Sequence, residues 1–155
     1  MATTSRPEAR ADLDMELVPL GTLWAQLAPP IVLQDTPVGT RIIFEVREAT
    51  FDGDRLRGRS RGSSGADWGL AGPGGVFGLD VRFVLETDDG ALVYVQYTGR
   101  CDISKGLESP GHVYSTPRFE TGDERYLWLN SLQAVQKGQL DPETLQITYK
   151  VYELR

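Results

Sequence analysis

The stretch LDVRFVLETDDGALVYVQYTGR, residues 79–100, decides the fold. Two runs alternate apolar and polar residues on either side of Asp88-Asp89-Gly90, and an Asp-Gly pair supplies the positive φ angles of a tight turn. Side chains point to opposite faces along a strand. Val81, Phe83 and Leu85 therefore share one face, opposed by Asp80, Arg82 and Val84. After the turn, Val93, Val95 and Tyr97 oppose Tyr94, Gln96 and Thr98. The pattern predicts an antiparallel hairpin.

The same signature recurs outward from it. RIIFEVREATF (41–51) sets Ile42, Phe44 and Val46 on one face and is followed by a turn at Asp52-Gly53-Asp54. LQITYKVYEL (145–154) sets Leu145, Ile147, Tyr149 and Val151 together as a closing strand. Short strands separated by turn signals predict an all-β barrel or sandwich. At most one short helix is expected, within ERYLWLNSLQAVQKGQ (124–139), where a strand carrying Tyr126, Trp128 and Asn130 competes for the first half. SRGSSGADWGLAGPGGVFG (60–78) holds seven glycines in 19 residues and is expected to be a loop or irregular crossing anchored by Trp68.

Length and composition bound the rest. A chain of 155 residues, 40% hydrophobic and 25% charged, is expected to form one globular domain over residues 14–155, with residues 1–13 as a disordered N-terminal arm. Its formal net charge of −6 argues against non-specific nucleic-acid binding, which needs a basic footprint, and against an anionic membrane. No apolar run is long enough for a transmembrane helix, and charges of both signs occupy the N-terminus where a signal peptide needs an apolar segment. The lone Cys101 forms no intramolecular disulfide, so a cytoplasmic protein is expected.

The chemistry is narrowed by what the residues can assemble. His112 is the only histidine and Cys101 the only thiol, so no His/Cys metal cluster can form, and no metal is expected. No G-x-S-x-G elbow occurs; Ser63, Ser64 and Ser115 read as loop hydroxyls, and His112 as an exposed bystander beside Gly111. The glycine-rich stretch has neither the lysine nor the strand-to-helix context of a phosphate cradle. No cofactor is expected.

Carboxylates and aromatics remain. TPRFETGDERYLWLN (116–130) gathers Arg118, Glu120, Tyr126, Trp128 and Asn130 at alternating positions. Each strand thus has an apolar face and a mixed one. Either the mixed face meets solvent, or it forms a polar and aromatic cavity wall while the apolar face packs on a helix, a second sheet or another copy.

Ordered blocks point to a relation. GADW (65–68), Asp80-x-Arg82, TDDGALVYV (87–95), PRFETG (117–122) and Y-x-W-L-N (126–130) resemble the domain-of-unknown-function family 3237, over roughly residues 15–155. The resemblance implies a closed or nearly closed antiparallel β-barrel, calycin-like or similar, often paired into homodimers. It implies no reaction. It carries over Asp67, Trp68, Asp80, Arg82, Tyr94, Arg118, Glu120, Tyr126, Trp128 and Asn130 as polar and aromatic positions. It also implies a lid at CDISKGLESPGHVYS (101–115), which is compact here.

Taken together, a small-molecule ligand is expected in a barrel cavity, with Asp80, Glu120, Tyr94 and Arg82 as catalytic residues. Asp67, Trp68, Arg118, Tyr126, Trp128 and Asn130 are expected to hold the substrate. The expected function is cofactor-free isomerisation, elimination or cyclisation of a small aromatic or polyketide-like molecule by acid–base and shape-directed catalysis. The alternatives are a binding protein using the same cavity without turnover, and a structural barrel whose mixed face meets solvent.

Overall fold

A computed structural model describes residues 11–155. Eleven strands form one antiparallel sheet: β1 (Leu17–Leu27), β2 (Ile31–Thr36), β3 (Gly39–Asp52), β4 (Arg57–Ser60), β5 (Ala66–Gly72), β6 (Val76–Thr87), β7 (Leu92–Asp102), β8 (Val113–Ser115), β9 (Arg118–Glu120), β10 (Ala134–Asp141) and β11 (Gln146–Leu154). Pairing runs β1-β3-β5-β6-β7-β8-β10-β11 and back to β1, which closes an eight-stranded barrel. Closure removes the unpaired edges that an open sheet would leave to water.

Two seams are each filled by two elements. Between β3 and β6, β5 occupies one end and β4 the other. Beside β7, β8 occupies one end, and β9 the other, followed by a 3-10 helix over Glu124–Ser131. β2 pairs with β3 outside the circuit.

The predicted hairpin is β6–β7, in register from Val76↔Asp102 to Glu86↔Leu92. Gly90 takes φ +90° in its turn, a conformation open to glycine at no steric cost. The run at 41–51 falls within β3, and that at 145–154 is β11 preceded by Leu145, which takes φ +57° in the turn before it. Of the expected N-terminal arm, residues 1–10 lie outside the described residues, and Ala11–Leu13 form a single 3-10 turn.

Two expectations are corrected. The glycine-rich stretch is no loop throughout, since Ala66–Gly72 is a barrel strand. Its glycine at 69 serves close packing: a Cβ there would stand 2.0 Å from the Phe77 ring. Tyr126, Trp128 and Asn130 lie on no strand. They belong to the 3-10 helix, whose start is capped by Asp123 Oδ1 accepting from the Arg125 N–H at 3.0 Å.

The barrel has one filled end and one open end. The filled end holds Leu20, Phe51, Leu56, Leu85, Phe119 and Leu129, all buried, with Phe51 and Phe119 packed edge to face at 6.4 Å. The 3-10 helix plugs it with Leu129, which is 0% exposed. The open end is bounded by the β1–β2, β7–β8 and β10–β11 connections, and the strand interiors below it surround a cavity.

Candidate functional site

The cavity has a volume of about 610 Å³, within the range of small-molecule sites. The inward residues of the eight barrel strands make its walls, mostly aliphatic and phenylalanine, such as Leu23, Phe44, Leu79 and Phe83. Three hydrogen-bonding oxygen side chains stand among them at depth: Asp67, Tyr97 and Tyr149. Cys101 adds a buried thiol nearer the mouth, and it donates to the Gly111 carbonyl at 3.4 Å.

Strand register aligns Asp67 with Tyr97. Asp67 on β5 is opposite Val81 on β6, and Val81 is opposite Tyr97 on β7, so Asp67 and Tyr97 lie two strands apart, roughly 10 Å at the backbone. Tyr149 enters from β11 and packs against the Tyr97 ring at a centroid distance of 5.8 Å and 69°. Gly138 on the neighbouring β10 makes room for it. A Cβ at that position would stand 2.3 Å from Tyr149 Cδ1.

Asp67 is a carboxyl group 7% exposed in an apolar wall. The β5–β6 ladder breaks between Asp67↔Val81 and Leu70↔Gly78, and there the Asp80 N–H donates to Asp67 Oδ1 at 3.0 Å. Burial pushes the Asp67 pKa up to about 7; the Asp80 N–H opposes this and the Asp80 carboxylate adds to it. Burial raises both phenols, with the Asp67 charge adding to the rise at each. The Cys101 thiol is likewise raised by burial.

Of the ten residues expected at the site, Asp67 lines this cavity and the other nine do not. The assignment of the two strand faces is reversed: Val81, Phe83, Val95 and Tyr97 point inward, and the mixed face is the outer wall. Arginine and glutamate inside a closed barrel would lose their hydration without enough partners to replace it. The outer wall does bring several together. Register aligns Arg82 with Gln96 and Arg118, and Val84 with Tyr94 and Glu120, in adjacent rows across β6, β7 and β9. Asp80 pairs there with Arg82 at 3.3 Å. Trp68 is outside as well, 51% exposed, its carbonyl accepting from Arg41 at 3.0 Å.

Tyr126, Trp128 and Asn130 cluster at the filled end, away from the mouth. Tyr126 donates to Asp89 at 2.9 Å, the Arg55 guanidinium lies 4.4 Å over the Trp128 ring, and Asn130 makes two 2.9 Å hydrogen bonds with the Thr121 backbone. They hold the plug in place. His112 is exposed, and Ser115, read as a loop hydroxyl, is instead buried at the end of β8, accepting from Gln136 at 2.8 Å. Among the described residues, no group of three or more His, Cys, Asp and Glu side chains is placed to hold a metal ion.

Tyr97 and Tyr149 were read as members of apolar rows. The signal that singles them out is a phenol in an otherwise aliphatic inward row, because a buried hydroxyl needs a partner. A second signal is Gly138 in mid-strand, which marks a close approach.

The family described as proteins of unknown function (DUF3237) matches residues 15–154. The chain belongs to this family. A UPF0311 protein of Bradyrhizobium diazoefficiens is 30% identical over 122 residues, covering 70% of this chain and 77% of the relative. A β-barrel-like protein from Acinetobacter baumannii has a TM-score of 0.80 at 30% identity, covering 99% of this chain and all of that one. The barrel also resembles that of an enzyme from Penicillium herquei, with a TM-score of 0.65 at 21% identity over 97% of this chain and 98% of the other. That last likeness is one of fold. No helix among the described residues is long and apolar enough to cross a membrane.

Proposed function

We propose that the chain is a cofactor-independent enzyme, an isomerase, lyase or cyclase, acting on a small aromatic or polyketide-like molecule inside the barrel. One observation carries this: Asp67, a carboxyl group held in an apolar cavity with its pKa pushed up to about 7. A general acid–base group is most effective when its pKa lies near the working pH. As carboxylate, Asp67 takes a proton from a carbon next to a carbonyl or from a hydroxyl. As carboxylic acid, it returns that proton elsewhere on the same molecule. Tyr97 and Tyr149 stay protonated at neutral pH and donate to the oxygen on which charge develops. The apolar walls fold a flexible substrate and keep water from the intermediate. The cycle is redox-neutral and leaves no proton over.

The likeness to the Penicillium herquei enzyme is compatible with catalysis on this fold but does not itself transfer a reaction. Two expectations about the surroundings accompany the proposal. The buried free thiol of Cys101 suits a reducing cytoplasm. β2 pairs with β3 alone among the described strands and leaves Ile31, Val32 and Leu33 about half exposed, which suits a homodimer.

The test is a mass-spectrometric comparison of the host's metabolite pool after incubation with intact or boiled protein. The expected result is one species consumed and replaced by an isomer, a dehydrated product or a cyclised product. A species retained on the protein unchanged would favour a binding protein that uses the same cavity without turnover.

A further inference from the structure

The rim of the cavity carries a charge pattern that narrows what can enter. Two acids stand at the mouth, Glu108 on the β7–β8 connection and Glu143 on the β10–β11 turn. A third, Asp67, lies at depth. Among the described residues lining the cavity there is no lysine, arginine or histidine. The chain as a whole adds a net charge of −6.

An anion entering this cavity would therefore pass two carboxylates and then lose its hydration against aliphatic walls with no cation to replace it. The cost falls on the charge itself and is independent of how well the rest of the molecule fits. We infer that Glu108 and Glu143 form a charge filter, and that the ligand is an uncharged, largely apolar molecule carrying no carboxylate, phosphate or sulfate. This rests on the cavity being the ligand site and deepens that reading. It also places the protein in a reaction sequence: a polyketide-like substrate must first be released from any phosphate-bearing thioester carrier, with its carboxyl group lost or closed into a lactone.

A matched pair of fluorescent probes tests this on the full chain: N-phenyl-1-naphthylamine, which is neutral, and 1-anilinonaphthalene-8-sulfonate, the same skeleton with one sulfonate. The neutral probe is expected to bind at least about tenfold more tightly, in line with the cost of burying an unpaired charge. In Glu108→Gln/Glu143→Gln the ratio of the two affinities should fall by roughly fivefold, since exposed rim charges act through a screened field. Raising salt with the wild-type protein should narrow the ratio in the same direction.

The location of the probe is fixed by two further measurements. Ala25→Phe, which fills the cavity from its wall, should abolish binding of the neutral probe. Should that variant not fold, bound neutral probe should slow alkylation of Cys101, the one thiol and a cavity residue, in the wild-type protein. Equal or tighter binding of the sulfonate inside the cavity would overturn the charge filter and leave the ligand site standing. Neutral-probe binding that neither fills the cavity nor protects Cys101 would overturn both.

Discussion

Asp67→Asn is expected to lower turnover by roughly 10²–10⁴-fold, the usual contribution of one positioned acid–base group, while ligand binding persists. The amide keeps the shape of the side chain and keeps an oxygen for the Asp80 N–H, so the break in the β5–β6 ladder stays satisfied. What it loses is the exchangeable proton. The substrate found in the metabolite comparison provides the assay, and a retained complex without product provides the binding readout.

The same variant has a stability signature of definite sign. In the unfolded chain Asp67 titrates near its ordinary value of 3.8, and in the fold near 7. A raised folded value means the fold holds the proton that the unfolded chain releases, so the contribution is fully present below about pH 4. It is lost as pH rises toward 7 and stays lost above. The span amounts to about 4 kcal/mol. Asp67→Asn removes this dependence. The difference in unfolding free energy between variant and wild type, followed by urea titration from pH 4 to pH 8, should shift in favour of the variant by about that amount. A flat difference would mean that Asp67 is hydrated in the fold.

Leu129→Ala should destabilise the protein by about 2–5 kcal/mol, because a fully buried leucine leaves a cavity that its surroundings only partly close. Its urea midpoint should fall with little change in slope. The 3-10 helix that carries Leu129 also carries Tyr126 and Trp128, and it plugs the end opposite the mouth. Affinity for a neutral cavity probe should therefore change little once both proteins are compared folded. A large loss of affinity with unchanged stability would instead put this helix at the ligand.

The strands with clean alternation were legible in the sequence. Residues 79–100, 41–51 and 145–154 each carry an inward row that the barrel buries, and Asp88-Asp89-Gly90 marks the turn. β5 was hidden because its glycines, which read as a loop, admit neighbouring rings instead. The short helix expected within 124–139 is the 3-10 helix at Glu124–Ser131, and the two-residue spacing of Tyr126, Trp128 and Asn130, which offered a strand there, occurs off any strand.

The site was harder to read, and the reason is physical. Reading polar and aromatic residues as ligand-facing assumes that a site is richer in chemistry than a surface. A closed barrel reverses that, because its interior is the hydrophobic core and admits a polar group only where it can be satisfied or neutralised. Asp67 is the one expected residue that meets this condition. Tyr97 and Tyr149 meet it too, but they sit in rows where the eye counts them as apolar. Closure of the sheet settles which face is inside, and alternation within a strand is the same for either choice.

The most direct measurement is the carboxyl ¹³C chemical shift of Asp67 followed by NMR across pH, with Asp67→Asn identifying the resonance. A midpoint near 7 is the predicted result, and it should move when a cavity ligand is added. A midpoint near 4, unmoved by ligand, would make Asp67 an ordinary hydrated carboxylate and would contradict the acid–base role on which the proposed function stands.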